Sequence, residues 1–174
     1  MNTAVVAMHR LVERGYLADC IEEDNKRIIA EEMSNAFKNV TKIRIPSTVT
    51  EIRERKCANC KYLTEITIPS TVNSVGQEAF YGCTALKTVT LNNTGTIGVS
   101  AFNGCTALKN VTINNTCTIG IRAFSGCTNV TEVTLNNTGS IEALAFEYCT
   151  SLTRVNMGRG LIEFCINTSS SPFD

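Results

Sequence analysis

The sequence is poor in the residues from which most enzyme active sites are built. Its 174 residues include one histidine, His9, and Asp174 is the only aspartate after Asp24. Nucleophilic catalysis needs a base beside the nucleophile, which a single histidine near the start of the chain cannot supply throughout the molecule. A zinc site wants four ligands, and Cys57 and Cys60 have no second closely spaced cysteine pair to join them. The composition therefore predicts a protein that is not an enzyme and that holds no metal or cofactor.

Charge excess and long apolar runs are also missing. Sixteen basic and sixteen acidic residues give a net charge of zero, which argues against nucleic acid or an anionic membrane as a partner. No run approaches the roughly 20 apolar residues of a membrane span. Residues 4–8 form an apolar run of only five residues before His9, too short for a secretory signal. We therefore expect neither a membrane span nor a signal peptide, which leaves cytoplasmic synthesis or assembly into a virion open.

What the chain has in abundance is repetition. The stretch IPSTVNSVGQEAFYGCTALKTVT, residues 68–90, returns in related form over 91–112, 113–134 and 135–156, and a weaker copy precedes it over 45–67. A period of 22 or 23 residues lies in the range of leucine-rich repeats. We therefore predict a solenoid over residues 40–174, with a partial repeat or cap over 157–174, and a separate segment over residues 1–39.

Each repeat is expected to form one coil of this solenoid. Val89 and Leu91 alternate with polar residues, so Thr88 to Asn92 is expected to be a short strand. One coil cannot bury its apolar face alone, whereas stacked coils share a core and pair their strands as a parallel sheet. The other expected core positions recur in phase: an isoleucine or valine, an Ala-Phe pair and a cysteine. The same alignment places Leu152, Val155 and Met157 in the core of the last full repeat.

These motifs resemble the BspA-like (Treponema pallidum type) leucine-rich repeats. The resemblance rests on the phased AF-x-GC-T-x-L core, as in Ala79-Phe80 and Cys83, and covers residues 45–157. It implies a right-handed solenoid and a role in surface adhesion or protein binding, on bacterial or protozoan cell surfaces. The family brings no catalytic residues to carry over. The expected fold class is thus an α+β repeat solenoid with a parallel sheet face and an N-terminal helical cap.

The outward side chains of the predicted strands are the candidate binding residues. They are Lys42, Arg44, Glu65, Thr67, Thr88, Thr90, Asn110, Thr112, Glu132, Thr134, Arg154 and Asn156. None is aromatic, which disfavours recognition of carbohydrate or single-stranded nucleic acid by ring stacking. The surface is either a protein-binding face or simply a solvated side of the sheet.

The segment before the repeats carries helical spacing instead. Val5, Met8 and Val12 lie on one side of a predicted helix that ends near Gly15, and a second helix is predicted from Asn25 to Asn35. A solenoid needs a cap at its open end, so these helices either cover the first coil or dock the chain onto a partner. We assign the cap to the second helix and docking to Val5, Met8 and Val12. The Ser-rich C-terminal end offers a second edge for a partner or another copy.

The nine cysteines are predicted to be free thiols. Cysteines of neighbouring coils have parallel Cα–Cβ bonds, which hold their Cβ atoms farther apart than the roughly 3.8 Å of a relaxed disulfide. Cys117 replaces a turn glycine of its neighbours and is expected to be the most exposed of the repeat cysteines. Asn92, Asn114 and Asn136 match a glycosylation pattern, but in register they can instead form a ladder of side-chain amides.

Two functions follow from the sequence. The first is a non-enzymatic protein-interaction module, an adhesin-like or receptor-binding surface acting through the sheet. The second is a structural subunit of a larger assembly, such as a cell-surface layer or a phage particle, which docks through the N-terminal helices.

Overall fold

The protein is a stack of coils carrying two parallel sheets. The computed structural model describes residues 41–45, 47–114, 116–136 and 139–158. These residues form short strands and turns, and no helix lies among them. A parallel β-solenoid of the leucine-rich-repeat type is therefore confirmed, whereas the α part of the predicted fold class finds no support in the described residues. The predicted N-terminal cap and the docking residues Val5, Met8 and Val12 lie outside them, as does the C-terminal edge after residue 158.

The larger sheet has five strands, one from each coil. They are β2 (Glu65–Ile68), β4 (Thr88–Leu91), β6 (Asn110–Ile113), β8 (Glu132–Leu135) and β9 (Arg154–Met157). All neighbours pair in parallel and in the spatial order of the chain, so each residue faces the residue 22 or 23 positions later. The predicted strand was one residue too long, because Asn92 lies beyond the end of β4.

A second sheet, which the sequence analysis did not predict, runs along another side of the stack. Its four parallel strands are β1 (Glu51–Ile52), β3 (Ser74–Val75), β5 (Thr96–Ile97) and β7 (Thr118–Ile119). Each strand has two residues, and only the second is buried. So short a stretch shows no alternation of apolar and polar residues, which is why the sequence indicates the buried position but not the strand.

The core consists of columns of equivalent side chains, and phenylalanines form one of these columns. Phe80, Phe102, Phe124 and Phe146 are buried, and their rings stack nearly parallel with centroids 5.0, 5.1 and 5.2 Å apart. This spacing follows the strand separation of the sheet, roughly 4.8 Å. The predicted Ala-Phe core is confirmed.

The cysteines form a second column beside the rings. The thiol of Cys105 donates a hydrogen bond to the carbonyl of Phe80 over 3.4 Å, and Cys127 donates to Phe102 over 3.3 Å. Cys83 makes the equivalent bond to the carbonyl of Cys57, so Cys57 occupies the position that phenylalanine holds in later coils. Burial raises the pKa of the Cys57 thiol. The seven cysteines of the described residues form no disulfide with one another, which agrees with the sequence prediction.

Two predictions about exposure were wrong. Cys117 is fully buried, because the turn that it enters packs directly on the neighbouring coil. A Cβ atom on Gly95, the corresponding residue of the preceding coil, would lie 1.4 Å from the carbonyl oxygen of Asn73. Met157, predicted to be core, is 60% exposed. It ends the last strand of the sheet, where no further described coil covers it.

Two columns of turn residues have left-handed backbone conformations. The first column consists of Arg55, Glu78, Ser100, Arg122 and Leu144. The second begins at Asn59, continues through Gly82, Gly104 and Gly126 with φ between 67° and 72°, and ends at Tyr148 with φ of 57°. Non-glycine residues seldom adopt positive φ. The repeated geometry of the turn therefore determines the backbone even where the sequence departs from glycine.

Candidate protein-interaction surface

The twelve predicted binding residues share the exposed side of the five-stranded sheet, which we call the sheet face. They form two rows across the coils, because each strand contributes its first and third residues. The parallel pairings align Glu65, Thr88, Asn110, Glu132 and Arg154 in the first row, and a bridge between Lys42 and Glu65 extends it. The second row aligns Thr67, Thr90, Thr112, Thr134 and Asn156. Arg44 follows Lys42 by two residues and is exposed.

Strand geometry explains this placement. Successive side chains of a strand point to opposite sides, so Ile66 and Val89 are buried while the threonines beside them are at least partly exposed. Strand pairing occupies the backbone hydrogen-bonding groups of the interior strands. Recognition on this face therefore depends on side chains.

The charged residues of the first row neutralise one another along the stack. Lys42 lies 2.7 Å from Glu65, with both side chains more than half exposed. At the opposite end Arg154 Nη1 is 3.9 Å from Glu132 Oε2, and the amide of Asn156 also donates to Glu132. Exposed pairs of this kind contribute little stability. Between them lies an uncharged centre formed by Thr88, Thr90, Asn110 and Thr112.

A ladder of amides lies just beyond the strands. Asn114 Nδ2 donates to Asn92 Oδ1 over 2.9 Å, and Asn136 Nδ2 donates to Asn114 Oδ1 over 3.2 Å. This confirms the predicted side-chain ladder. The side-chain nitrogens of Asn114 and Asn136 are both engaged in it.

An open depression of about 500 Å³ lies at the end of the sheet face near Lys42. Its lining includes Arg44, Thr67 and Pro69, together with Thr88 and Thr90. Charged, hydroxyl and apolar groups therefore meet in this depression.

Sequence reasoning missed two exposed residues beside the sheet face. Lys87 and Lys109 immediately precede β4 and β6, and both are exposed. The repeat alignment contained the signal, because both residues follow the buried leucine of their coils, Leu86 and Leu108. Neither lysine belongs to the alternating residues of a strand, from which the binding residues were predicted.

Residues 41–45, 47–114, 116–136 and 139–158 contain no group of three or more histidine, cysteine, aspartate or glutamate residues able to hold a metal ion. Over the same ranges, the structure has no helix with the length and apolar character needed to cross a bilayer.

Comparison with known families identifies the family to which these repeats belong. The model of the BspA type leucine rich repeat region matches residues 27–153 in six copies. The chain belongs to this family. No curated protein matches the chain.

Solved structures of bacterial repeat proteins share the fold. A leucine-rich repeat protein from Eubacterium ventriosum is 35% identical with a TM-score of 0.62, and the match covers 67% of this chain and 32% of that one. A leucine rich cell surface protein from Faecalibacterium prausnitzii is 28% identical with a TM-score of 0.58 over the same shares. The T. pallidum leucine rich repeat protein, at 23% identity and a TM-score of 0.51, covers 67% of this chain and 69% of that one, and it supports the fold alone. The chain thus matches about a third of the length of the first two proteins.

Proposed function

We propose that this chain is a non-enzymatic protein-interaction module that binds its partner through the sheet face, as an adhesin-like or receptor-binding surface. The observation that supports this proposal is the alignment of two rows of polar, at least partly exposed side chains on a single paired sheet. The six positions of the first row span roughly 24 Å at the strand spacing of a sheet. Such a rigid polar surface can form many side-chain contacts with little loss of conformational entropy on binding. Membership of a family of interaction repeats, and similarity to a named cell surface protein, favour the same function.

Photocrosslinking tests the proposal. A photoreactive amino acid replaces Thr90 or Thr112 on the sheet face, or Thr96 or Thr118 on the second sheet, six residues farther along the chain in each case. Each variant is incubated with an immobilised array of extracellular proteins, and its crosslinks are identified by mass spectrometry. We expect crosslinks to a bound protein from Thr90 and Thr112 only. The absence of any bound protein, or crosslinks from Thr96 and Thr118 alone, would contradict a binding role for the sheet face.

Assembly through the N-terminal segment remains a separate prediction. If Val5, Met8 and Val12 dock the chain onto another copy, light scattering will find oligomers of the full chain and monomers after deletion of residues 1–18. The melting temperature of the deleted protein should then stay close to that of the full chain. A monomeric full chain would contradict self-assembly.

A further inference from the structure

The net positive charge of the described residues lies entirely on and beside the sheet face. Five basic residues there, Lys42, Arg44, Lys87, Lys109 and Arg154, exceed two acidic ones, Glu65 and Glu132, by three charges. The remaining described residues carry five charges of each sign, which cancel. This side of the protein therefore favours an anionic partner, although the whole chain is neutral.

Lys87 and Lys109 differ from the other charges of this surface. Lys42 and Arg154 each face a glutamate of the adjacent coil. Lys87 and Lys109 instead face each other, because the amide of Lys109 donates to the carbonyl of Lys87 over 3.0 Å and places the two residues in adjacent coils. Neither side chain makes an ion pair or a hydrogen bond within the described ranges.

Stacking two cations in this way opposes folding, since like charges held next to each other on neighbouring coils repel. The fold does not require lysine at these positions. Other coils place threonine there, and Thr64 and Thr153 each donate a side-chain hydrogen bond to a carbonyl of the preceding coil. The two lysines thus forgo a local hydrogen bond and introduce repulsion that a bound anion would relieve.

We propose that Lys87 and Lys109 form an anion subsite that holds carboxylates of an extended acidic segment of a protein partner. Thr88 and Asn110, the next residues along the chain, begin the uncharged centre of the sheet face. There they offer hydroxyl and amide groups to the backbone of the segment. Two adjacent ammonium groups suit one carboxylate between them or two carboxylates side by side.

The same observations disfavour a nucleic acid. The sheet face has no aromatic side chain on which bases could stack. Only Arg44, Lys87 and Lys109 are cations of this surface without a partner in the described part of the chain. Phosphate-backbone binding commonly uses more charges, often six to ten contacts.

A peptide titration of the full chain tests the subsite. The probe is a fluorescent peptide of alternating glutamate and threonine, and the matched probe has glutamine in place of every glutamate. The test variant carries Lys87→Thr and Lys109→Thr, residues that other coils use at the same position. The control variant carries Lys56→Ala and Lys61→Thr. This variant also loses two positive charges, but at positions away from the sheet face. The new residues are again those of another coil, since Ala79 and Thr84 occupy the corresponding positions there.

Fluorescence anisotropy at low salt should show binding of the glutamate peptide to the unmodified chain and to the control variant. We expect the dissociation constant of the test variant to rise at least about fivefold, as the loss of two charge contacts implies, and its salt dependence to weaken. The proposal is overturned if both variants bind alike, if the glutamine peptide binds equally well, or if a single-stranded oligonucleotide of equal charge binds more tightly and depends on both lysines.

This inference rests on the proposed function, but the two can fail separately. If the test variant keeps the Thr90 and Thr112 crosslinks and its affinity for the array protein, the sheet face binds a protein without the lysine subsite. If the crosslinks come from the second sheet while the peptide titration still depends on Lys87 and Lys109, the interaction module does not use this face for its partner.

Discussion

At the residue scale, most positions in this chain are defined by the column to which they belong, and exceptions to a column identify the strained or exposed sites. Tyr148 is such an exception, because it adopts φ of 57° where Gly82, Gly104 and Gly126 stand in earlier coils. Its side chain is 66% exposed and contributes little buried area. The backbone strain is therefore poorly compensated.

We expect Tyr148→Gly to raise the free energy of unfolding by about 1 kcal/mol. A left-handed conformation costs an L-residue roughly 1–2 kcal/mol, and glycine removes this cost. Part of the gain is lost because glycine increases the conformational entropy of the unfolded chain. The opposite change, Gly104→Ala, should lower it by about 1 kcal/mol. A Cβ atom on Gly104 meets only ordinary contacts near 3.9 Å, so conformation alone decides its effect. Urea denaturation of both variants measures the pair, and destabilisation by Tyr148→Gly would show that the ring stabilises the last coil.

The structure reverses the order of cysteine exposure that the sequence predicted. Cys117 is fully buried, while Cys149 is only partly buried at the end of the cysteine column. A maleimide reagent applied to the native protein should therefore modify Cys149 first among the seven described cysteines, with Cys57 and Cys117 protected. Peptide mass spectrometry at successive times reads the order, and labelling in urea gives the unprotected reference. Modification of Cys117 at the rate of Cys149 would mean that its turn opens readily.

At the element scale, the coils are joined by hydrogen bonds that repeat from one turn to the next. The ladder from Asn92 through Asn114 to Asn136 links three successive coils next to the sheet. Because the amide group is both donor and acceptor, the middle residue alone makes two of these contacts.

Replacing Asn114 by alanine removes both contacts. We expect the free energy of unfolding to fall by about 0.5–1.5 kcal/mol, less than two fully buried hydrogen bonds would contribute, since the ladder is partly solvated. Thr116→Ala, an exposed change in the same turn, should have an effect below about 0.5 kcal/mol. Thermal and urea unfolding of the two variants decide the question. Equal effects would mean that the amides bond water as well as they bond each other.

The strands of the sheet face could be predicted because alternation such as Val89 and Leu91 with threonine is a direct signal. The Phe and Cys columns could be predicted because identical residues recur at one period. The second sheet could not, since strands such as Thr96–Ile97 are too short to alternate. Cys117 was misjudged because a glycine indicates either a free turn or a close backbone contact. Only the position of Asn73 distinguishes them.

The candidate site divides in the same way. Register placed the rows of the sheet face correctly, because it depends only on the repeat. The isolation of Lys87 and Lys109 could not be predicted from alternation within a strand, because both residues precede their strands. Whether a charge is neutralised depends on the neighbour 22 or 23 residues away, and Lys42 has Glu65 there whereas Lys87 has Lys109.

At the scale of the whole molecule, each coil contacts chiefly the coils beside it. The stability of the stack is therefore approximately the sum of the stabilities of its coils and of the interfaces between neighbouring coils. Phe102 lies in the middle of the stack, between the rings of Phe80 and Phe124. A cavity there affects both neighbours.

Phe102→Ala should lower the free energy of unfolding by about 3–5 kcal/mol, as truncation of a buried phenylalanine generally does. Thr112→Ala, on the sheet face of the same repeat, should cost less than about 0.5 kcal/mol. Chemical denaturation measures both losses. Hydrogen exchange should show the greatest loss of protection in the coils that contain Phe80, Phe102 and Phe124. Similar losses for the two variants would be incompatible with the ring column as the core.

Because each coil repeats the register of its neighbours, recombination of the gene can change the number of coils in this molecule. Excision of residues 91–112 would join Thr90 to Ile113 and shorten the stack by one step of roughly 4.8 Å, yet Phe80 would meet Phe124 and Cys83 would meet Cys127 in the former alignment. The packing of the core would therefore change little. The exterior would change, because Lys87 would then adjoin Thr131 instead of Lys109. Gain or loss of a whole coil therefore gives the protein a different surface while the packing of the remaining core is retained.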